Sequence, residues 1–219
     1  MEYTLKQAIS VVIKCGKEYK RKFANTKVLI IYRNRESNEI EFIEIVFRPS
    51  NFQHLTGLIL LDTSGNQKLN CSVEFYHKCT GNNLKTSEVK FKEDGTTSLK
   101  LDALPSLMDL TNITKIIGDY DKSKKWMEAD VIVGGVNFCL AVSKDKEGGK
   151  GIYFPRSGLL EDIRNITGKS SQVLAIFQKK LNDKGKYRNI RYVAKGLELT
   201  NVKLPIAIEE KICCERKSE

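Results

Sequence analysis

The hydrophobic periodicity of this chain changes after an N-terminal helical stretch, and that change constrains the fold more than any other feature. Over residues 4–24 the apolar side chains recur at helical spacing, and Thr4 with Gln7 forms a capping-box start. Most later apolar residues fall in short runs of strand length, bounded by turn-forming residues. We therefore expect an α+β fold, in which N-terminal helices and a β-hairpin pack on a curved antiparallel sheet.

The turn-like residues 34–38 lie between two β-rich runs at 28–32 and 40–47, which predicts the hairpin. Short helices are expected over 52–61, over 73–80, where Ser72 caps the start and Gly81 ends the helix, and over 98–112. The second half predicts strands at 113–120, 131–142, 152–154, 173–177 and 190–194, with a short helix over 159–165.

The length of 219 residues, of which 41% are hydrophobic, fits one domain with a sizeable core. We expect that domain over 1–208 and a frayed, charged tail over 209–219. The sequence shows neither an apolar run long enough for a membrane span nor a secretion signal, which favours a cytoplasmic protein with reduced thiols. Six cysteines without a Cys-x-x-Cys pair predict no structural zinc site.

The charge balance predicts a polyanionic partner. Lys and Arg number 37 against 27 Asp and Glu, which gives a formal net charge of +10. Nucleic acid is the first expectation, and an anionic membrane surface the second. A lysine-rich genome that places Lys at any surface position would explain the same balance.

Several catalytic motifs are missing. Gly168, Lys169 and Ser170 resemble the end of a phosphate loop, but the first glycine of that motif is replaced by Ile163. Asp119 and Asp121 would suit Mg²⁺ in a metal-dependent nuclease, although a solvated turn explains them better. We therefore expect neither a metal nor another cofactor.

The segment FRPSNFQHLTGL places a histidine in a short apolar stretch. A histidine can exchange a proton near neutral pH, so His54 is a candidate acid or base for metal-independent cleavage of RNA. The hydroxyl of Thr56 stands beside it in the sequence. The alternative is that His54 fills or caps a turn.

The segment YFPRSGLL predicts an anion site. A strand is expected to end at Pro155, which would place Arg156 and Ser157 at the start of a helix. The planar guanidinium of Arg156, the Ser157 hydroxyl and the free amides at the start of the helix would all hold phosphate. Alternatively, Ser157 is only a helix cap and Arg156 a surface residue.

The segment KGKYRNIRYVAK interleaves cations with tyrosines near the C-terminus. Cations can follow a nucleic-acid backbone while tyrosines stack on bases, although a charged edge strand has the same pattern. The candidate nucleic-acid-binding residues, with Tyr153 added, are Tyr153, Lys184, Lys186, Arg188, Arg191, Tyr192 and Lys195.

Taken in order, six strings resemble one family: FRPSNFQHLTGL, SVEFYHKCTG, GGVNFCLAVSKD, GIYFPRSGLLEDI, IFQKK and YRNIRYVAK. The chain resembles the PBECR4 domain, a phage-type nuclease of the barnase, EndoU, colicin E5/D and RelE-like class, over about residues 5–195. The resemblance rests mainly on FQHLTG and FPRS.

The resemblance implies helices on a curved antiparallel sheet of about four strands, and a metal-independent endoribonuclease of a phage or mobile element, sometimes a toxin. His54 then resembles the acid/base histidine, and Arg156 and Ser157 resemble phosphate contacts, with Thr56 assisting. The second proton would pass through a tyrosine, a lysine or water, because His77 is expected to have a packing role.

The partners implied are RNA, with tRNA and mRNA both open, and an immunity or antitoxin protein, in the cytoplasm of a host cell and without a membrane. Two other classes stay open. One is a catalytically silent nucleic-acid-binding module, and the other is a phage protein that inhibits a host factor through protein–protein contact.

Overall fold

The computed structural model describes residues 2–124, 127–146 and 151–213. The helices there are α1 (Leu5–Lys22), α2 (Asn51–Thr56), α3 (Ser72–Thr80), α4 (Thr97–Leu107), α5 (Leu110–Ile113) and α6 (Ile206–Glu209). The strands are β1 (Thr26–Arg33), β2 (Ile40–Phe47), β3 (Leu58–Leu60), β4 (Val89–Phe91), β5 (Ile116–Tyr120), β6 (Val131–Gly134), β7 (Cys139–Lys144), β8 (Ile152–Leu159), β9 (Thr167–Lys180) and β10 (Asn189–Val193). The α+β class is confirmed.

Helix α1 forms where the periodicity predicts it. Thr4 accepts a hydrogen bond from the Gln7 amide, and the Gln7 side chain accepts one from the Thr4 amide. The apolar stripe is buried, with Val12 and Tyr19 fully enclosed, and the basic last turn suits the negative end of the helix dipole. The helix packs against α3 and α4.

The main sheet closes on itself. Its strands run in the order β1-β2-β8-β7-β6-β5-β9, and β9 then pairs with β1. The result is a seven-strand barrel, with β10 outside the ring on the edge of β9 that also carries β5. The expectation of a curved antiparallel sheet of about four strands with a hairpin packed on it is therefore met only in part, because the sheet closes into a barrel and the hairpin β1–β2 belongs to the barrel wall.

One pairing in the barrel is parallel. Strands β2 and β8 pair through Glu44 with Ile152 and Ile45 with Tyr153. A parallel pair needs a long crossover, and here that crossover carries four helices and the strands β3–β7. The sheet is therefore mixed rather than wholly antiparallel.

The strand expected over 131–142 is two strands, β6 and β7. The chain reverses after Gly134, where the Gly135 amide donates to the Phe138 carbonyl at 2.9 Å. A Cβ at Gly134 would lie 2.4 Å from that same carbonyl oxygen. The paired glycines make a tight turn rather than a bend within one strand.

The segment expected over 52–61 is α2 followed by β3, which pairs with β4 in a small separate sheet. The helix expected over 159–165 is wrong: β8 continues to Leu159, and only a 3₁₀ turn at Ile163–Asn165 follows.

The predicted tail begins inside the folded structure. Ile208 and Ile212 are buried with Tyr187 in a second apolar cluster beneath β1 and β9. Residues 209–213 are therefore not a frayed end, and residues 214–219 lie outside the described part of the chain. None of the helices in the described ranges has the length and apolar character needed to cross a bilayer.

Candidate active site

Helix α2 presents His54 on its exposed side because Phe52 and Leu55 anchor its opposite side in the core. Gly57 ends the helix at φ +72°, in the left-handed region. A Cβ at Gly57 would lie 2.9 Å from the Cα of Thr97, so this position needs a glycine both for its conformation and for its space. Helix α4 can therefore lie directly against the end of α2.

Two hydrogen bonds hold α4 there. The Thr97 hydroxyl donates to the Gly57 carbonyl at 2.8 Å, and Lys100 Nζ donates to the His54 carbonyl at 3.0 Å. The ammonium of Lys100 is thus fixed beside the residue that carries the imidazole.

Strand β8 brings Arg156 and Ser157 to the same place by a β-bulge. Opposite them, Ala141 pairs with Ser157 and Val142 pairs with Pro155, so Arg156 is the extra residue on β8. A bulge turns successive side chains away from strict alternation, and it also tolerates a proline. The expected helix start at this point is wrong, and the helix amides proposed as phosphate donors are not present there.

His54, Arg156 and Ser157 line one cavity of about 530 Å³. The histidine and the Arg-Ser pair, which are far apart in the chain, thus border the same cavity. Other chemically active side chains line this cavity as well: Ser72, Lys92, Asp94, Lys100 and Glu128.

The environment of His54 favours the neutral imidazole. Partial burial, followed by the charges of Lys100, Arg156 and Lys92, lowers the pKa of His54 below its ordinary value of 6.5. The ring makes no hydrogen bond to any residue within the described ranges. Neither ring nitrogen therefore has a competing partner from that part of the chain.

Arg156 forms an exposed ion pair with Glu128. The guanidinium Nη2 lies 3.1 Å from Glu128 Oε2, and the Glu128 side chain is 91% exposed. An ion pair this exposed contributes little, so a phosphate can compete for the guanidinium. The guanidinium also lies 5.8 Å from the centre of the Phe154 ring.

Lys100 is the cavity residue that sequence reasoning missed. Burial, together with the charge of Lys92, lowers its pKa, which makes its proton easier to release. Its contact with His54 spans 46 positions of the chain. No local pattern signals such a contact, because Lys100 occupies an ordinary position in a leucine-rich helix.

Thr56 does not belong to the cavity. Its side chain is fully buried, and its hydroxyl donates to the Gln53 carbonyl and accepts from the Leu58 amide. Thr56 therefore shapes the end of α2, and the expectation that it contacts substrate is wrong.

The C-terminal basic residues lie apart from this cavity, since none of them lines it. Tyr153 is 7% exposed and therefore cannot stack on a base, contrary to expectation. Tyr192 is half-buried, and the Lys115 ammonium lies 3.3 Å from its ring centre, so one face of the ring is already occupied. The five remaining candidates have exposed side chains: Lys184, Lys186, Arg188, Arg191 and Lys195.

Two other residue groups considered in the sequence have local roles. The Asp121 carboxylate accepts hydrogen bonds from the amide and hydroxyl of Ser123, which forms a turn. His77 is exposed on α3 with its ring centre 5.3 Å from that of Tyr76.

A comparison with protein-family models identifies the family of this chain. The model of the PBECR4 family, described as phage-Barnase-EndoU-ColicinE5/D-RelE like nuclease 4, matches residues 12–196. The chain belongs to the PBECR4 family. The match runs from α1 to the turn after β10 and includes every element of the cavity. A nuclease family implies a nucleic-acid substrate. No curated protein and no solved structure matches the chain.

Proposed function

We propose that this PBECR4 protein is a metal-independent endoribonuclease that cleaves RNA by attack of the ribose 2′-hydroxyl. The observation that carries the proposal is the cavity that His54, Arg156 and Ser157 line together. This set supplies a proton acceptor and phosphate ligands, which are the minimum that such cleavage needs.

In the proposed first step, neutral His54 accepts the proton of the 2′-hydroxyl. The 2′-oxygen forms a bond to phosphorus while the bond from phosphorus to the 5′-oxygen breaks. The products are a 2′,3′-cyclic phosphate and a free 5′-hydroxyl. Arg156 and Ser157 donate hydrogen bonds to the non-bridging oxygens, where negative charge increases in the transition state.

Lys100 is the proposed donor of the proton that the leaving 5′-oxygen takes up. Its ammonium lines the same cavity and uses one of its three protons on the His54 carbonyl. Burial lowers its pKa, which favours this transfer. His54 leaves the step as an imidazolium, and exchange with water restores both groups.

Phage or mobile-element origin, toxin action in the host cytoplasm, and an immunity or antitoxin partner are also part of this proposal. The description of the family supports them. The choice among tRNA, mRNA and other RNA belongs to experiment.

The test is cleavage of end-labelled total RNA in EDTA by the wild type, His54→Ala and His77→Ala. We expect cutting that survives EDTA, leaves 2′,3′-cyclic phosphate ends and falls by about 10²–10⁴ in His54→Ala. His77→Ala is the matched control, because it removes an exposed histidine outside the cavity, and it should cut like the wild type.

Three other results would contradict this proposal, and each would favour a different function. Salt-sensitive RNA binding by all three proteins without cutting would favour the silent binding module. Loss of cutting in EDTA alone would favour a metal-dependent reaction. The absence of RNA binding at physiological salt would favour a protein inhibitor of a host factor.

A further inference from the structure

A second concave surface lies away from the His54 cavity, where α1 ends, β9 ends and β10 begins. It is a groove of about 480 Å³, and no residue of its lining also lines the His54 cavity. Six cations line it, and we call it the basic groove: Arg21, Lys22, Lys179, Lys180, Arg188 and Arg191.

The fold fixes the shape of the basic groove. Gln178 is 8% exposed, and its amide nitrogen donates to the Lys22 carbonyl at 2.6 Å and to the Thr26 hydroxyl at 3.2 Å. These bonds join the last turn of α1 to the floor formed by β1 and β9. Asn189 pairs with Gln178 and brings the start of β10 alongside. Three separate parts of the sequence thus place their cations around one depression.

The cations of the groove are only partly neutralised. Glu18 forms ion pairs with Arg21 at 2.5 Å and with Lys22 at 3.8 Å, and Asp183, the one carboxylate in the lining, accepts a hydrogen bond from the Gly185 amide at 2.8 Å. Among the residues that the structure describes, Arg188, Arg191 and Lys180 form no ion pair. Cations that lack an ion-pair partner and share one concavity attract an anion, and arginine forks match phosphate oxygens.

The lining also indicates which anion fits. It contains no apolar and no aromatic side chain, so it offers no aromatic ring to stack on a base and no apolar surface to enter a bilayer. Recognition here would be confined to charged oxygens spaced along a chain, as in the backbone of a nucleic acid.

We propose that the basic groove binds the phosphate backbone of RNA at a distance from the scissile bond, independently of sequence. This inference rests on the proposed nuclease function and adds to it the way a long substrate is held. RNA that reaches both surfaces is retained by the groove while the His54 cavity acts on one phosphate. A dinucleotide reaches the cavity alone.

Binding is measured by fluorescence anisotropy of a labelled single-stranded RNA of about 30 nucleotides, titrated across roughly 0.05–0.3 M salt. The variant is Arg188→Gln/Arg191→Gln in the full chain. Each lost phosphate contact lowers the salt slope by about 0.7, so two contacts lower it by about 1.4, or roughly 25-fold in affinity at 0.1 M salt. The loss should be equal for RNAs of different sequence.

Two further variants make the result specific. Lys6→Gln/Lys14→Gln removes the same net charge from exposed positions of α1 that line neither cavity, and it should bind within about twofold of the wild type. Lys180→Gln removes a cation from β9, and it should lower the slope by about 0.7 even if the double variant folds poorly.

Cleavage separates this inference from the proposed function. If the chain is a ribonuclease, Arg188→Gln/Arg191→Gln should lose kcat/KM on long RNA and keep it on a dinucleotide. If no variant cleaves RNA, the anisotropy result still decides whether the groove binds a backbone. Equal slopes for the double variant and the Lys6→Gln/Lys14→Gln control would overturn the inference, as would groove-dependent binding to phosphatidylserine vesicles with RNA binding unchanged.

Discussion

At the scale of single residues, the chemistry of the cavity depends on how His54 is surrounded. Three cations face a partly buried imidazole that lacks a hydrogen-bond partner among the described residues. Charging this ring would add a fourth positive group beside those three. The pKa of His54 is therefore lowered, which favours the neutral ring, and a neutral ring can accept a proton.

The pH dependence of cleavage follows from this arrangement. A base must be unprotonated, and the pKa of His54 is lowered from 6.5, so the acid limb of kcat/KM should lie below pH 6.5. Lys100→Gln removes one of the repelling charges and should raise the pKa of His54. The acid limb should then move to higher pH, whatever the maximal rate becomes.

NMR titration of the His54 imidazole measures the same shift directly. In Lys100→Gln the His54 resonance should titrate at higher pH than in the wild type. An unmoved His54 titration would show that the Lys100 charge does not act on the ring.

At the scale of elements, the site depends on the close approach of α4 to the end of α2. Gly57→Ala adds a methyl group 2.9 Å from the Thr97 Cα and places a non-glycine residue at φ +72°. We expect a loss of about 2–4 kcal/mol in the free energy of unfolding, from left-handed strain and overpacking together.

Gly65→Ala is the matched control for this change. Gly65 has φ +82° but no atom within 4 Å of the added Cβ, so only the strain remains. We expect a loss of about 1 kcal/mol, with urea unfolding as the measurement for both variants. Equal losses would mean that the contact with α4 adds nothing.

Strand β8 is longer than the sequence predicts. Proline usually ends a strand, so the segment FPRS predicts an end at Pro155. A bulge lies opposite Ala141 and Val142, and a strand tolerates a proline at a bulge. The strand therefore continues through Arg156 and Ser157. The two residues reach the cavity by a different backbone path from the one expected.

At the scale of the whole molecule, hydrogen bonds to the carboxylate of Glu44 attach the C-terminal segment to the barrel. Glu44 on β2 accepts hydrogen bonds from the Tyr187 hydroxyl at 2.7 Å and from Lys211 Nζ at 2.9 Å. Burial opposes the charged form, but these bonds and the charge of Lys211 outweigh it, so the pKa of Glu44 is lowered from 4.5.

Lys211→Met should therefore lower the free energy of unfolding, by an amount that depends on pH. A lowered pKa in the folded state stabilises the protein above the unfolded value, near pH 4.5, and that contribution is lost as pH falls through the folded value. We expect a loss of about 1–2 kcal/mol at pH 7, moderated by the partial exposure of Lys211, and a smaller difference from the wild type below pH 4.

Urea unfolding at both pH values measures this difference. Lys203→Met is the control, because it removes an exposed lysine from the same segment and should change stability by less than about 0.5 kcal/mol. A pH-independent loss in Lys211→Met would point to packing of its aliphatic stem instead of its charge.

The sequence by itself determined the local elements and several of the chemical groups. Helix α1 with its capping box and the hairpin β1–β2 follow from periodicity, because each depends on residues close together in the chain. His54 and Arg156 stand out as residue types suited to proton transfer and phosphate binding.

Only the tertiary structure decided the closure of the barrel, the bulge at Arg156 and the presence of Lys100 in the cavity. The pairing of β9 with β1 joins residues about 150 positions apart, and Lys100 meets His54 across 46 positions. The basic groove likewise gathers cations from α1, β9 and β10. Such contacts depend on how the elements pack. The free energy of packing is distributed over many residues, so the sequence of any single segment does not predict these contacts.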